Sequence, residues 1–137
     1  MTGLECKPVP VELTYGLERL CMFVQGKDNV FDLDWNNDGV KYREVFFQSE
    51  KEFSAYNFEY ANTKSLLSNF EIAEKECLAL IQKKLSLPAY DQCLKASHIF
   101  NLLDSRGVIG VAERTGYINR IRELAKGSGA IWLNTQV

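Results

Sequence analysis

The sequence predicts a mainly α fold: one or two strands followed by a helical region of about four to five helices. Three observations carry this expectation. Apolar and polar residues alternate in one place, between Pro8 and Tyr15. From Gly16 onward apolar residues recur every three or four positions in successive segments. Turn formers punctuate those segments, with Gly26, Gly107 and Gly127 placed to end helices and Pro88 placed to begin one.

In chain order, Val9, Val11, Leu13 and Tyr15 alternate with Pro10, Glu12 and Thr14, the period of a half-buried strand. Pro8 and Pro10 suit only its beginning or an edge position. Leu17, Leu20, Cys21 and Val24 then share one helical face up to Gly26. The stretch KDNVFDLDWNNDG is rich in turn formers and reads as a surface loop with room for one short strand. Ser49 and Glu52 have the capping-box spacing and would open a helix carrying Phe53, Tyr56 and Tyr60. Leu66, Phe70, Ala73, Cys77, Leu80 and Lys84 trace the next stripe, which must stop before Pro88. The helix opened by Pro88 would bury Cys93, Ala96, Phe100 and Leu103. A last helix uses Val111, Ile118, Ile121 and Ala125, with Gly127 as its stop, leaving GSGAIWLNTQV as a frayed end or a docking segment. Gly110 and Gly116 inside that pattern each cost about 1 kcal/mol relative to alanine. A single strand cannot satisfy its backbone groups without a sheet, so the chain reads as the back part of something larger.

The 137 residues suit one domain, and 46% hydrophobic with 25% charged residues is the composition of a folded soluble protein. A net charge of -2 excludes a global field toward nucleic acid or anionic lipid, so any such contact would be local. Cys6, Cys21, Cys77 and Cys93 form no C-x-x-C pair and are expected to be free thiols. The amino terminus lacks the basic start and apolar stretch of a secretory signal. The longest strongly apolar run, LCMFV, falls far short of the roughly 20 residues that cross a bilayer. A cytoplasmic location without a membrane partner is expected.

PVELTYGLERL resembles the third signature motif of class II aminoacyl-tRNA synthetases, a strand followed by a helix bearing G-L-E-R. GLECKPV, TYGLERL, YNFEYA, LPAY and FNLLD, in that order, resemble the carboxyl-terminal half of the alpha chain of the bacterial heterotetrameric glycyl-tRNA synthetase. The resemblance implies that residues 1–40 are the end of a class II catalytic core, with one or two strands from the edge of the class II synthetase antiparallel sheet, and that 41–137 are a helical carboxyl-terminal region. It also implies ATP-dependent activation of glycine and transfer to tRNA(Gly), by an alpha-alpha dimer bound to two beta chains, the beta chain supplying most tRNA recognition. Mg2+ would assist through ligands outside this chain, and none is assigned here.

Within that family, the arginine one turn past the glycine-bearing bend contacts the ATP γ-phosphate, and Arg19 occupies that place. An arginine fork suits a polyphosphate on physical grounds as well. Gly16 matches the glycine that lets the backbone lie against the adenine ring. Glu12 stands where related alanyl enzymes carry the acid that binds the amino group of the amino acid. Thr14 shares its strand face and would line a pocket too small for a substrate side chain. No residue is expected to do covalent work; positioning and charge stabilisation carry such a reaction. The first and second motifs are not found before Met1, so this chain by itself is expected to be inactive. A non-catalytic helical interaction module that keeps the motif by descent is the competing expectation.

Other features have ordinary explanations. Asp34, Asn36, Asp38 and Gly39 match the first half of a calcium loop, but Val45 stands where a bidentate glutamate is required. His98, the only histidine, is assigned a structural place. Phe46, Phe47, Phe53, Tyr56, Phe58 and Tyr60 have helical spacing and no basic cluster beside them, which favours core packing or a subunit interface over base stacking. Arg106, Arg114, Arg120, Arg122 and Lys126 outnumber Glu113 and Glu123, giving a solvated basic face or a seat for the tRNA backbone or the beta chain.

Overall fold

The computed structural model describes residues 3–135. Helices α1 (Leu17–Gln25), α2 (Tyr42–Ala55), α3 (Thr63–Gln82), α4 (Ser86–Ser105) and α5 (Val111–Thr135) follow one another, with a 3-10 turn at Val30–Asp32 and a π-helical segment at Tyr56–Tyr60. The chain divides into two compact units: Lys7–Tyr56 forms one, and the chain from Asn57 onward, joined by the segment up to Cys6, forms the other.

In the larger unit, links of three and five residues between α3, α4 and α5 (83–85 and 106–110) make consecutive helices neighbours, and α4 packs against both of the others. The periodic stripes become the core: Leu66, Phe70, Ala73 and Cys77 of α3 meet Ala89, Cys93, Ala96, Phe100 and Leu103 of α4, with Leu124 from α5. Some helix ends are closed by a recognisable device. The Asn62 side chain accepts the Ser65 N–H at 3.1 Å to start α3. Gly107, at φ 65°, ends α4 while the Val108 N–H reaches back to the Leu103 carbonyl. Lys84 takes the same left-handed conformation after α3, at a steric cost of about 1–2 kcal/mol that glycine would avoid.

Helix α5 differs from its expected form in three ways. It continues through Gly127 and Gly129 to Thr135, because Gly127 serves as a point of close approach and not as a stop: a Cβ there would lie 2.8 Å from Ile81 Cδ1. Val111 is 92% exposed and lies outside the core, whereas Leu124 and Ser128 are buried. The Ser128 hydroxyl satisfies itself by donating to the Leu124 carbonyl at 2.9 Å. Gly116 has open space around its missing Cβ, so Gly116→Ala is expected to stabilise the chain by about 1 kcal/mol, read as a higher thermal midpoint.

Arg120 ties α5 to α3. Its guanidinium donates to both oxygens of Glu74, at 2.7 Å for Nε, and lies over the rings of Phe70 and Tyr117 at 4.6 and 5.0 Å. The hydrogen bond from Arg120 holds the Glu74 carboxyl below its ordinary pKa. A carboxyl depressed on folding contributes stability above its unfolded pKa and loses that contribution as pH falls through its folded value. Urea midpoints measured from pH 7 to pH 3 should therefore decline less steeply in Glu74→Gln than in the parent.

The smaller unit contains the correction to the expected sheet. Residues 9–15 run extended and exposed, with Val9, Val11, Leu13 and Tyr15 all at 77% or more, and they join no ladder. A strand requires a neighbour to take its N–H and C=O groups, and no described segment supplies one. Among the described residues the isolated bridge between Asp34 and Lys41 is the only β pairing. Helix α2 begins earlier than expected, at Tyr42, where the Glu44 carboxylate accepts the Lys41 N–H at 2.6 Å; Ser49 and Glu52 fall inside the helix.

Candidate adenylate-binding turn

Glu12, Thr14, Gly16 and Arg19 lie along one exposed stretch, where the extended segment bends into α1. Gly16 is the residue before the first helical turn, and its carbonyl accepts the Leu20 N–H at 3.1 Å. Its φ of -76° is open to any residue, and a Cβ there would meet only the Arg19 side chain, at 3.9 Å. No described neighbour crowds that position, and as the N-cap of α1 it suits glycine. Arg19 thus lays its aliphatic stem beside Gly16 and forms no ion pair with another described residue.

The Thr14 hydroxyl donates to the Glu12 carboxylate, so the two side chains share a face as strand alternation requires. The structure therefore brings the four residues together as two pairs, Glu12 with Thr14 and Gly16 with Arg19. No hydrogen bond links one pair to the other.

Other candidate features resolve into local structure. Asp34 pairs with Lys41, which holds its carboxyl below the usual carboxylate range. Asn36 turns its side-chain oxygen to the Asp38 and Val40 N–H groups, at 3.0 and 3.2 Å. The loop that matched half a calcium site is thus tied to its own backbone, and no group of three or more His, Cys, Asp or Glu side chains among the described residues is gathered to hold a metal.

Most of the basic side chains near α5 have internal tasks. Arg106 donates to the Ala61 carbonyl at 2.9 Å, Arg114 to both Asp104 oxygens at 3.2 Å, and Arg120 to Glu74. Arg122 and Lys126 are exposed. His98 stands at an exposed groove between α3 and α4 with Asn69 and Gln92. All four cysteines are free; burial raises the pKa of Cys77 and pushes Cys93 up to about 11, so both core thiols stay protonated at neutral pH. No described helix is long and apolar enough to cross a membrane.

A family model described as glycyl-tRNA synthetase alpha subunit matches residues 1–137, the whole chain. The chain belongs to that family. Its activity is accordingly that of a glycine–tRNA ligase, an aminoacyl-tRNA synthetase acting on glycine and tRNA in protein biosynthesis. Membership of the alpha-subunit family also gives the exposed turn a context: an alpha subunit works within a synthetase assembly.

Proposed function

We propose that the turn from Glu12 to Arg19 is this chain's share of the glycyl-adenylate site. Arg19 would hold the γ-phosphate of ATP, the Gly16 backbone would lie against adenine, Glu12 would pair with the ammonium of glycine, and Thr14 would limit the room beside it. The observation that carries the proposal is Gly16. Its backbone angles and described surroundings leave room for a Cβ, and that open space at the bend is where close approach of a nucleotide would call for glycine. In this scheme ATP is a substrate, Mg2+ is held by residues outside this chain, and the reaction takes place in the cytoplasm.

The assembly proposed is an alpha-alpha dimer with two beta chains, in which the beta chain does most of the tRNA recognition. Exposed aromatics supply surface for subunit contacts: Phe53, Phe58 and Tyr60 are 64%, 59% and 75% exposed. The same exposure would suit a helical interaction module without catalysis, and ATP binding separates the two. Gly16→Val in the assembled synthetase should lower the thermal midpoint by a few degrees at most, since the space is open and only the N-cap preference for glycine is lost. It should weaken ATP binding in isothermal titration by about tenfold or more, the effect of a clash with the nucleotide. Unchanged ATP affinity would remove Gly16 from the site, and ATP affinity equally indifferent to Arg19→Ala would favour the interaction module.

A further inference from the structure

A cleft of about 350 Å³ opens in the smaller unit beside α1, and Glu12, Thr14, Gly16 and Arg19 do not line it. Trp35, Tyr42 and Phe46 line it together with Leu17, Cys21 and Leu33. The Trp35 ring crosses Tyr42 at 65° and Phe46 at 71°, with centroids 6.1 and 5.3 Å apart. Tyr42 and Phe46 lie face over face, tilted by 35° with centroids 4.6 Å apart. The indole therefore stands at an angle to that pair, and the three rings make an aromatic corner of the cleft.

Two carboxylates line the same cleft, and they differ in how far their charge is already met. Asp34 is paired with Lys41. Glu18 forms no ion pair with another described residue, and its contact with the Tyr42 hydroxyl is long, at 3.5 Å. That leaves an unneutralised anion beside the aromatic corner.

The chemistry of an occupant follows from these parts. A purely apolar group would fill the corner but strip water from Glu18 without replacing its hydrogen bonds. An anion would meet Glu18, Asp34 and the negative faces of the rings. A small metal ion prefers a shell of oxygen ligands, which ring faces and Leu33 cannot provide. A cation with an apolar skin is favoured by both the rings and the carboxylate. We propose that this corner binds an organic cation, an alkylammonium or guanidinium group, through Trp35, Tyr42, Phe46 and Glu18. The site stands on its own observations and does not depend on the adenylate turn.

The two tryptophans make the test internal to one sample. Trp35 lines this cleft, whereas Trp132 lines another, with Leu87 and Tyr90, in the other unit. The indole N–H signals of the 15N-labelled chain would be followed during titration with choline and with its neutral isostere 3,3-dimethylbutan-1-ol. A second pair of titrations would use Nα-acetylarginine amide and the uncharged citrulline counterpart. The expected result is a saturable shift of the Trp35 signal by a cationic probe, at an affinity about tenfold or more above its neutral partner, with Trp132 unmoved. Choline as the stronger ligand assigns the site to free alkylammonium compounds; the arginine derivative as the stronger ligand assigns it to side chains of a polypeptide. Glu18→Gln should weaken the cationic probe by about tenfold while leaving the two free indole signals in place. Equal response to charged and neutral partners, no response to either cation, or an affinity unchanged by Glu18→Gln would overturn the proposal.

Discussion

Glycine-dependent ATP–pyrophosphate exchange by the assembled synthetase is expected to fall by about 100-fold or more when Arg19 is replaced with alanine, the usual effect of removing one fixed donor to a transition-state charge. The guanidinium is exposed and forms no ion pair with another described residue, so its removal leaves no orphaned partner inside the chain. Its stem lies 3.9 Å from the position of a Cβ on Gly16, which fixes where the charged end can reach relative to the bend. The thermal midpoint should therefore stay close to that of the parent. Arg19→Lys should recover only part of the lost rate, because a single ammonium cannot reproduce the planar fork that grips two phosphate oxygens. Exchange within about threefold of the parent in Arg19→Ala would remove this residue from the proposed site.

The largest expected change in stability belongs to Phe70→Ala, at about 3–5 kcal/mol. Phe70 is 1% exposed, meets Tyr117 edge to face at 4.9 Å and lies under the Arg120 guanidinium. Truncation would leave a cavity between α3 and α5 and would also remove one of the two rings that seat the Arg120–Glu74 pair. Domains of this kind have total stabilities of roughly 5–15 kcal/mol, so the variant should unfold at markedly lower urea. Phe53→Ala is the matching control: that ring is 64% exposed, and the change should stay within about 0.5 kcal/mol. A Phe70→Ala midpoint equal to the Phe53→Ala midpoint would contradict the packing described for α3.

The helical hairpin of α3 and α4 was the most legible part of the fold. Leu66, Phe70, Ala73 and Cys77, and then Cys93, Ala96, Phe100 and Leu103, recur with the helical period and are buried as that period requires. Legibility failed where one residue type serves two purposes. Gly127 has the form of a helix stop, yet it is small because Ile81 passes close to it. Ser128 is polar and buried, and hydrophobic periodicity cannot find such a residue. The alternation from Val9 to Tyr15 looks like a half-buried strand, but period alone does not say which segment will pair with it.

The candidate turn was legible only by resemblance, since Glu12 and Arg19 on their own are indistinguishable from solvated charges. The aromatic corner gave no signal at all, because Glu18, Trp35, Tyr42 and Phe46 come from α1, a loop and α2. Spacing within one element cannot reveal a site assembled from three.

Order is distributed unequally in this chain. Helix α4 contributes buried side chains toward both of its neighbours, so amide protons around Ala96 and Leu103 can exchange with solvent only when the whole bundle opens. Between Lys7 and Tyr56, Leu33 is the single buried side chain, and the extended segment ahead of α1 lacks even a ladder. The unit that carries the proposed adenylate turn is thus the one with the least buried side-chain surface. Whatever settles on it, subunit or substrate, must supply the free energy of ordering it, and measured affinities will be weaker than the contacts alone suggest.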